Sequence, residues 1–271
     1  MDKTTLVGLI LGIGAVLGGA VLDETAISSL VSIPAFLIVV VGTLGATTLS
    51  NPLENVIKLP VLLRCAFVDR GHNGPDLIEV FVKLSSKARK DGILSLEADI
   101  DGIDDRFLRK GLQLVVDGAN EDVITEVLEA DIAATEARHR AGYGMFDTMG
   151  GFAPTLGILG AVMGLIHVLS RVEDPTKLAA GIAVAFVATL YGVGSANLIF
   201  FPIGNKLHAK SDQEARMRRM MLHGVLSLLK SDNPRTVRDK LEVYLAPEQR
   251  SAQASPKADE AHEAVTAAGM A

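Results

Sequence analysis

Chemistry in a chain needs ionisable or nucleophilic side chains at usable spacing, and this sequence keeps them out of its long apolar stretches. Well inside those stretches only His167 and Tyr191 can ionise. Thr189 offers a hydroxyl near the middle of the last stretch, and Asn197 an amide. Acidic or basic groups at membrane depth are rare and mark ion paths. A chain with so few is incomplete as an ion translocator: either it does not conduct, or a partner supplies the carboxylate. For His167 the sequence predicts an interhelical hydrogen bond or a neutral ring touching headgroup water. For Thr189 it predicts a bond back to the carbonyl four residues earlier, with an ion path as the alternative. Asn197 is expected to pair with a neighbouring helix.

Enzyme chemistry is excluded on the same inspection. The chain has no phosphate-binding glycine loop of Walker type, no HExxH pair and no nucleophile elbow. His72, His139, His208, His223 and His262 are scattered among polar residues without metal-ligand spacing. The single cysteine, Cys65, allows neither a disulfide framework nor a multi-cysteine metal site. No cofactor and no metal are expected. A net charge of −6 leaves no basic stripe for a nucleic acid.

The elements that carry these residues follow from charge. Four stretches hold no Asp, Glu, Lys or Arg: Thr4–Leu22, Thr25–Leu53, Thr148–Ser170 and Leu178–Asn205. Each is about as long as the ~20 residues a helix needs to cross the bilayer core. The predicted fold class is therefore an all-α integral membrane protein in membrane lipid. Its four transmembrane helices are placed at about Thr5–Leu22, Ile33–Leu49, Phe152–Leu169 and Leu178–Phe201. Met1-Asp2-Lys3 lacks a basic signal-peptide n-region, so the first run is expected to be retained as a span.

Between spans two and three lie 12 Lys/Arg, and after span four another 11, whereas Arg171–Lys177 contributes only its two ends. Positive charge stays on the cytoplasmic side. Both termini and the long middle segment of this multi-pass protein are thus expected in the cytoplasm. The domains expected are residues 1–50 (spans one and two), 51–149 (a helical cytoplasmic domain), 150–205 (spans three and four), 206–246 (cytoplasmic helices) and 247–271 (a disordered tail).

Inside the polar segments, Leu77, Phe81, Leu84 and Ala88 share one helical face, as do Ile124, Val127, Leu128 and Ile132. Asp91-Gly92 and Gly118-Ala119-Asn120 read as breaks, and Asn233-Pro234 as a turn that restarts a helix. Within the spans, small residues recur four apart: Gly8 and Gly12, Gly14 and Gly18, Gly42 and Ala46, Gly160 and Gly164. Ala185, Ala188, Gly192 and Ala196 form a similar stripe. Small side chains let helix backbones approach closely in lipid. They predict packing within one subunit and, given their number, a homo-oligomer or a partner-helix interface.

Several strings, in order on this topology, resemble the A subunit of the bacterial flagellar motor stator, the MotA/PomA family. Span two reads Val41-Gly-Thr-Leu-Gly-Ala-Thr-Thr-Leu-Ser50, and the cytoplasmic helix Lys87-Ala-Arg-Lys-Asp-Gly-Ile-Leu-Ser-Leu-Glu97. Span three opens Gly150-Gly-Phe-Ala-Pro-Thr-Leu-Gly. Span four contains Ala188-Thr-Leu-Tyr-Gly192 and ends Phe201-Pro-Ile-Gly-Asn-Lys-Leu207. The likeness runs to about Leu245.

The resemblance implies a pentameric ring around a dimer of a single-span B subunit, which carries the membrane Asp that this chain lacks. Inward ion flow would turn the ring and push the flagellar rotor. By resemblance, Arg89 and Glu97 face the rotor switch protein, and Pro154 and Pro202 couple ion binding to movement of the cytoplasmic domain. Sodium-driven relatives carry threonine where this chain has Ala161, and a Thr-Thr pair where it has Ala188-Thr189. The depleted oxygens along this ion pathway, with Thr189 alone retained, favour protons. The alternatives are an ExbB/TolQ-like energiser of outer-membrane processes, which would resemble a three-span subunit, and a non-conducting membrane scaffold.

Overall fold

The structure, a computed structural model, describes residues 3–68, 74–170 and 175–250. His72, His262, residues 171–174 of the third connector and residues 251–271 of the expected tail lie outside the described residues. All regular structure among the described residues is helical.

In chain order, α1 (Lys3–Leu22) is followed by a 3-10 turn at Ile27–Leu30 and by α2 (Ile33–Phe36). A π-helical stretch, Leu37–Val41, then leads into α3 (Gly42–Ser50). The polar part contains α4 (Leu53–Val56), α5 (Leu59–Phe67), α6 (Gly74–Asp91), a 3-10 turn at Ile93–Leu96, α7 (Glu97–Ile100) and α8 (Arg106–Val116). The long α9 (Glu121–Leu169) comes next, then α10 (Pro175–Ser195), a second π-helical stretch at Ala196–Phe200, α11 (Phe201–Leu229) and α12 (Pro234–Glu242). Among the described residues, four helical segments are long and apolar enough to cross a membrane: Thr4–Leu22, Ile27–Ser50, Glu121–Leu169 and Gly181–Leu229. The change of composition near Met149 does not interrupt α9. It runs 49 residues through Gly150-Gly151 and Pro154.

The breaks occur where the sequence places them. At Gly92 φ is +85°, which only glycine adopts without strain. Past the end of α8, Gly118 has φ +75°. Its N–H donates to Val115 O (3.1 Å), and that of Ala119 to Leu114 O (3.0 Å), the Schellman pattern. Asn120 then caps α9, accepting from Val123 N–H at 2.9 Å. The same pair of bonds closes α11, from Ser231 N–H to Leu228 O and from Asp232 N–H to Ser227 O. There the left-handed position is held by a serine at φ +53°. Asn233 caps α12 through Thr236 N–H (2.8 Å), with Pro234 at its first position.

The chain forms two compact units, Met1–Arg70 with Ala137–Ser211, and Gly71–Glu136 with Asp212–Ala271. The second has an apolar core drawn from both predicted faces: Phe81, Leu84 and Ala88 of α6, and Ile124, Leu128 and Ile132 of α9, meeting Met220, Val225 and Leu228 of α11. Two glycines make room in it. A Cβ on Gly224 would lie 2.5 Å from the Phe81 ring, and one on Gly111 would lie 2.8 Å from a Val225 methyl. Its rim is charged. Arg218 binds Asp131 (3.1 Å), Glu214 (2.8 Å) and Thr135 (2.8 Å), and lies 5.4 Å over the Phe107 ring. In the first unit, Ala66 of α5 packs with Phe146, Met149, Ile203 and Leu207. Lys210 Nζ caps the end of α5, donating to the carbonyls of Cys65 (3.0 Å) and Val68 (2.7 Å).

Candidate functional site

The small-residue stripes of α9 and α10 meet inside the first unit. A Cβ built on Gly164 would lie 2.9 Å from Ala185 Cβ, and one on Gly160 would lie 2.9 Å from Ala188 Cβ. One on Gly157 would come within 2.9 Å of Ala188 O and 3.1 Å of Gly192 Cα. Backbone touches backbone along this seam, as small residues permit. For these residues the stripes are packing within one chain. Gly8, Gly14, Gly18 and Gly45, by contrast, face nothing within 4 Å.

Thr189 lies on the seam, its Cα 3.3 Å from the Cβ position of Gly157. It is half-buried, and among the described residues its hydroxyl meets no hydrogen-bond partner. The back-bond predicted for it forms instead at Asn197, whose amide donates to Val193 O (2.9 Å) rather than to a neighbouring helix. Asn197 is exposed, so its own helix supplies the nearest acceptor. Ala161, one turn past Gly157 on α9, is half-buried. The His167 ring is exposed and meets no partner among the described residues.

Pro154 stands at the near end of the seam. A Cβ on Gly192 would lie 2.6 Å from Ala153 O and 3.2 Å from Pro154 Cα. Proline has no N–H, so the carbonyl of Gly150 loses its helical donor and the ladder loosens there. Gly150 in turn is covered by the Phe201 ring, 2.5 Å from its Cβ position. Pro202 is exposed, the second residue of α11, which begins directly after the Ala196–Phe200 π-helical stretch.

The two π-helical stretches and the proline turn converge, a feature that sequence reasoning missed. Val39 of the first stretch, Ala196 of the second and Ala153 beside Pro154 form one buried cluster, lined by Tyr191 and Phe200. Three apolar segments are thus irregular at one level. The hydroxyl of Thr43 donates to Val39 O inside the first stretch, and that of Thr47 to Thr43 O (2.7 Å). π-helical turns and broken ladders are where helices bend. Tyr191 has a positioning role that the sequence did not signal. Its hydroxyl donates to Leu30 O (2.6 Å) and accepts from Ser32 N–H (3.3 Å), holding the turn that precedes α2.

Arg89 and Glu97 belong to the second unit. Arg89 is in the last turn of α6 and Glu97 is the first residue of α7, with the Ile93–Leu96 turn between them. Both are exposed, and neither makes an ion pair among the described residues. Nearby, Ser85 Oγ donates to Asp232 O (2.7 Å) and Arg238 pairs with Glu79 (2.6 Å), which ties α12 to α6. The hydrogen bond from Lys240 holds the Asp232 carboxyl below the usual carboxylate range, against the opposing effect of its partial burial. Burial pushes the Tyr244 hydroxyl up. No cluster of three or more metal-ligating side chains occurs among the described residues.

Known proteins share this architecture. A model of the MotA/TolQ/ExbB proton channel family matches residues 99–220. Motility protein A of Bacillus subtilis is 39% identical over 251 residues, covering 92% of this chain and 93% of that protein. Chemotaxis protein PomA of Vibrio alginolyticus is 37% identical over 245 residues, covering 90% and 96%. The structure of the flagellar MotAB stator complex from Bacillus subtilis superposes with a TM-score of 0.87 at 39% identity, over 92% of this chain and 98% of that one. The matched family is a channel and motor class, not an enzyme class. This multi-pass membrane chain belongs to the MotA/PomA family, within the MotA/TolQ/ExbB proton channel family, and is a stator subunit of the flagellar motor.

Proposed function

We propose that the chain, with a single-span B subunit that supplies the ion-accepting membrane Asp, couples inward proton flow to torque on the flagellar rotor. The observation that carries this reading is that the four charge-free apolar stretches hold no Asp or Glu, while among the described residues the Thr189 hydroxyl meets no partner on the α9–α10 seam. Similarity to a structure that contains a MotAB complex supports the B-subunit partner. Five copies form a ring around two B subunits, and the unfilled glycine faces of α1 supply surface for such neighbours.

Thr189 and Ala161 line the ion pathway. With one hydroxyl and no second oxygen from Ala188, the path offers too little to replace a sodium hydration shell, so a proton is carried. Pro154 and Pro202 flank the irregular layer and transmit ion binding to the polar segments. Arg89 and Glu97 face the rotor switch protein. Both termini and residues 51–149 are cytoplasmic. Moving one charge inward releases about 2.3 kcal/mol per 100 mV, so the mechanism needs several ions rather than one.

The test is complementation of a host lacking this gene. Flagellated, non-rotating cells are expected, rescued by the wild-type chain and poorly by Arg89→Glu at equal membrane level. Normal rotation in the deletion strain, with every other stator gene also removed, refutes the reading. Swimming that collapses on sodium removal at constant proton-motive force refutes the choice of proton.

A further inference from the structure

Between Arg89 and Glu97 the structure displays an apolar side chain to solvent. Leu94 is 71% exposed, while its neighbours Ile93 and Leu96 turn into the core of the second unit. The display is built, not incidental. Gly92, at φ +85° and ψ 161°, reverses the chain after α6 in a conformation closed to other residues. Ser95 fixes the turn, its N–H (3.1 Å) and its hydroxyl (2.6 Å) both donating to Gly92 O. The ion pair of Lys87 with Asp99 (2.7 Å) ties the end of α6 to α7 across the base of the turn. A leucine presented on so short and constrained a turn loses little freedom on being covered.

The rim around it is charged and unspent. Arg89, Lys90, Asp91 and Glu97 are exposed and make no ion pair among the described residues. Isolated exposed apolar residues are ordinary. One flanked along the chain on both sides by exposed charges of both signs, without an ion pair among the described residues, has the make-up of a binding centre: an apolar anchor for contact lifetime, beside polar groups that set orientation. Exposed ion pairs alone are weak and screened within about 8 Å in physiological salt, so a contact under load needs such an anchor.

We propose that Leu94 is the apolar anchor of a protein-docking surface. It enters a socket on a partner whose flanking residues are acidic opposite Arg89 and Lys90 and basic opposite Glu97. The proposal rests on the reading of Arg89 and Glu97 as rotor-facing, and it adds that the contact is apolar at its centre. The partner is then the rotor protein, and a second copy of this chain is the competing occupant.

The experiment compares Leu94→Ser, Leu94→Met and Arg89→Glu in the full chain, expressed with its B subunit in the native host. It reads membrane level, torque on tethered cells, and dwell time of a fluorescent stator at the motor. Leu94→Ser is expected to shorten dwell time by roughly ten-fold, as loss of a central anchor does, at unchanged membrane level, with Leu94→Met restoring most of it. Wild-type torque and dwell time in Leu94→Ser, with Arg89→Glu impaired, overturn the anchor and leave the rotor-facing reading standing. Wild-type behaviour in both variants overturns both. Loss of Leu94→Ser from the membrane, with Leu94→Met normal, places the side chain between copies of this chain and also overturns the proposal.

Discussion

Replacing Gly192 by alanine tests the seam between α9 and α10 most directly. The new methyl would sit 2.6 Å from Ala153 O, 3.0 Å from Gly157 Cα and 3.2 Å from Pro154 Cα. All three obstacles are backbone, so no rotamer change relieves them. Ordinary contact begins near 3.4 Å, so the helices must part by about 0.8 Å at the tightest point, and the packing of Gly157 and Ala188 loosens with them. Overpacking of this kind costs about 1–3 kcal/mol, a factor of roughly 5 to 150 in the equilibrium between packed and separated helices.

Gly194, two residues on in the same helix, has nothing within 4 Å of its Cβ position and serves as the control. Both substitutions gain about 0.5–1 kcal/mol of helix preference, so the difference between them isolates the clash. The assay is thermal unfolding of the purified stator complex followed by far-ultraviolet circular dichroism, with swimming speed in parallel. Gly192→Ala should melt well below Gly194→Ala and swim slowly. If it melts with or above the control, the close approach at this seam is not what holds the two helices together.

Two further outcomes are expected of the second unit. Ser231→Gly should stabilise it by up to about 1 kcal/mol, because the left-handed position at φ +53° costs serine what glycine does not pay; a lowered melting temperature of the full chain would contradict this. The depressed Asp232 carboxyl gives stability that is present above its unfolded value and lost as pH falls below the ordinary aspartate range, through its lower folded value. Lys240→Met should therefore flatten the loss of stability in that acid window, and an unchanged acid profile would sink the assignment.

The sequence makes legible those elements whose causes are local. Charge-free runs mark the apolar helices because an exposed charge in hydrocarbon is costly wherever it falls. Gly92 and Gly118 mark turns because their backbone angles admit little else, and Asn233 marks a helix start because its side chain caps the helix it precedes. What escapes the reading depends on neighbours. Nothing in Gly150-Gly151 announces that α9 continues through them; the Phe201 ring packed on Gly150 belongs to a residue 51 positions away. Tyr191 looks like a lone ionisable group until its hydroxyl is seen on Leu30 O, 161 residues distant. The sequence suggests a back-bond for Thr189 and a partner on a neighbouring helix for Asn197, and burial and packing put the back-bond at Asn197 instead.

The π-helical stretches also correct a phase. From the start of α2 onward, the buried positions of the second apolar segment fall at Ala35, Val39, Thr43 and Thr47, a strict interval of four. In an unbroken α-helix, at about 100° per residue, twelve residues overshoot three full turns by about 120°, and such a row would wind off its contact. One inserted residue takes back about 100° and keeps the row straight. Ala188, Gly192 and Ala196, with half-buried Phe200, repeat the interval, and the second stretch lies at its end. Deleting a single residue from either stretch would leave the helix intact and swing everything beyond it through more than a quarter turn. Each bulge thus acts as a clutch between the azimuth of one half of its helix and that of the other.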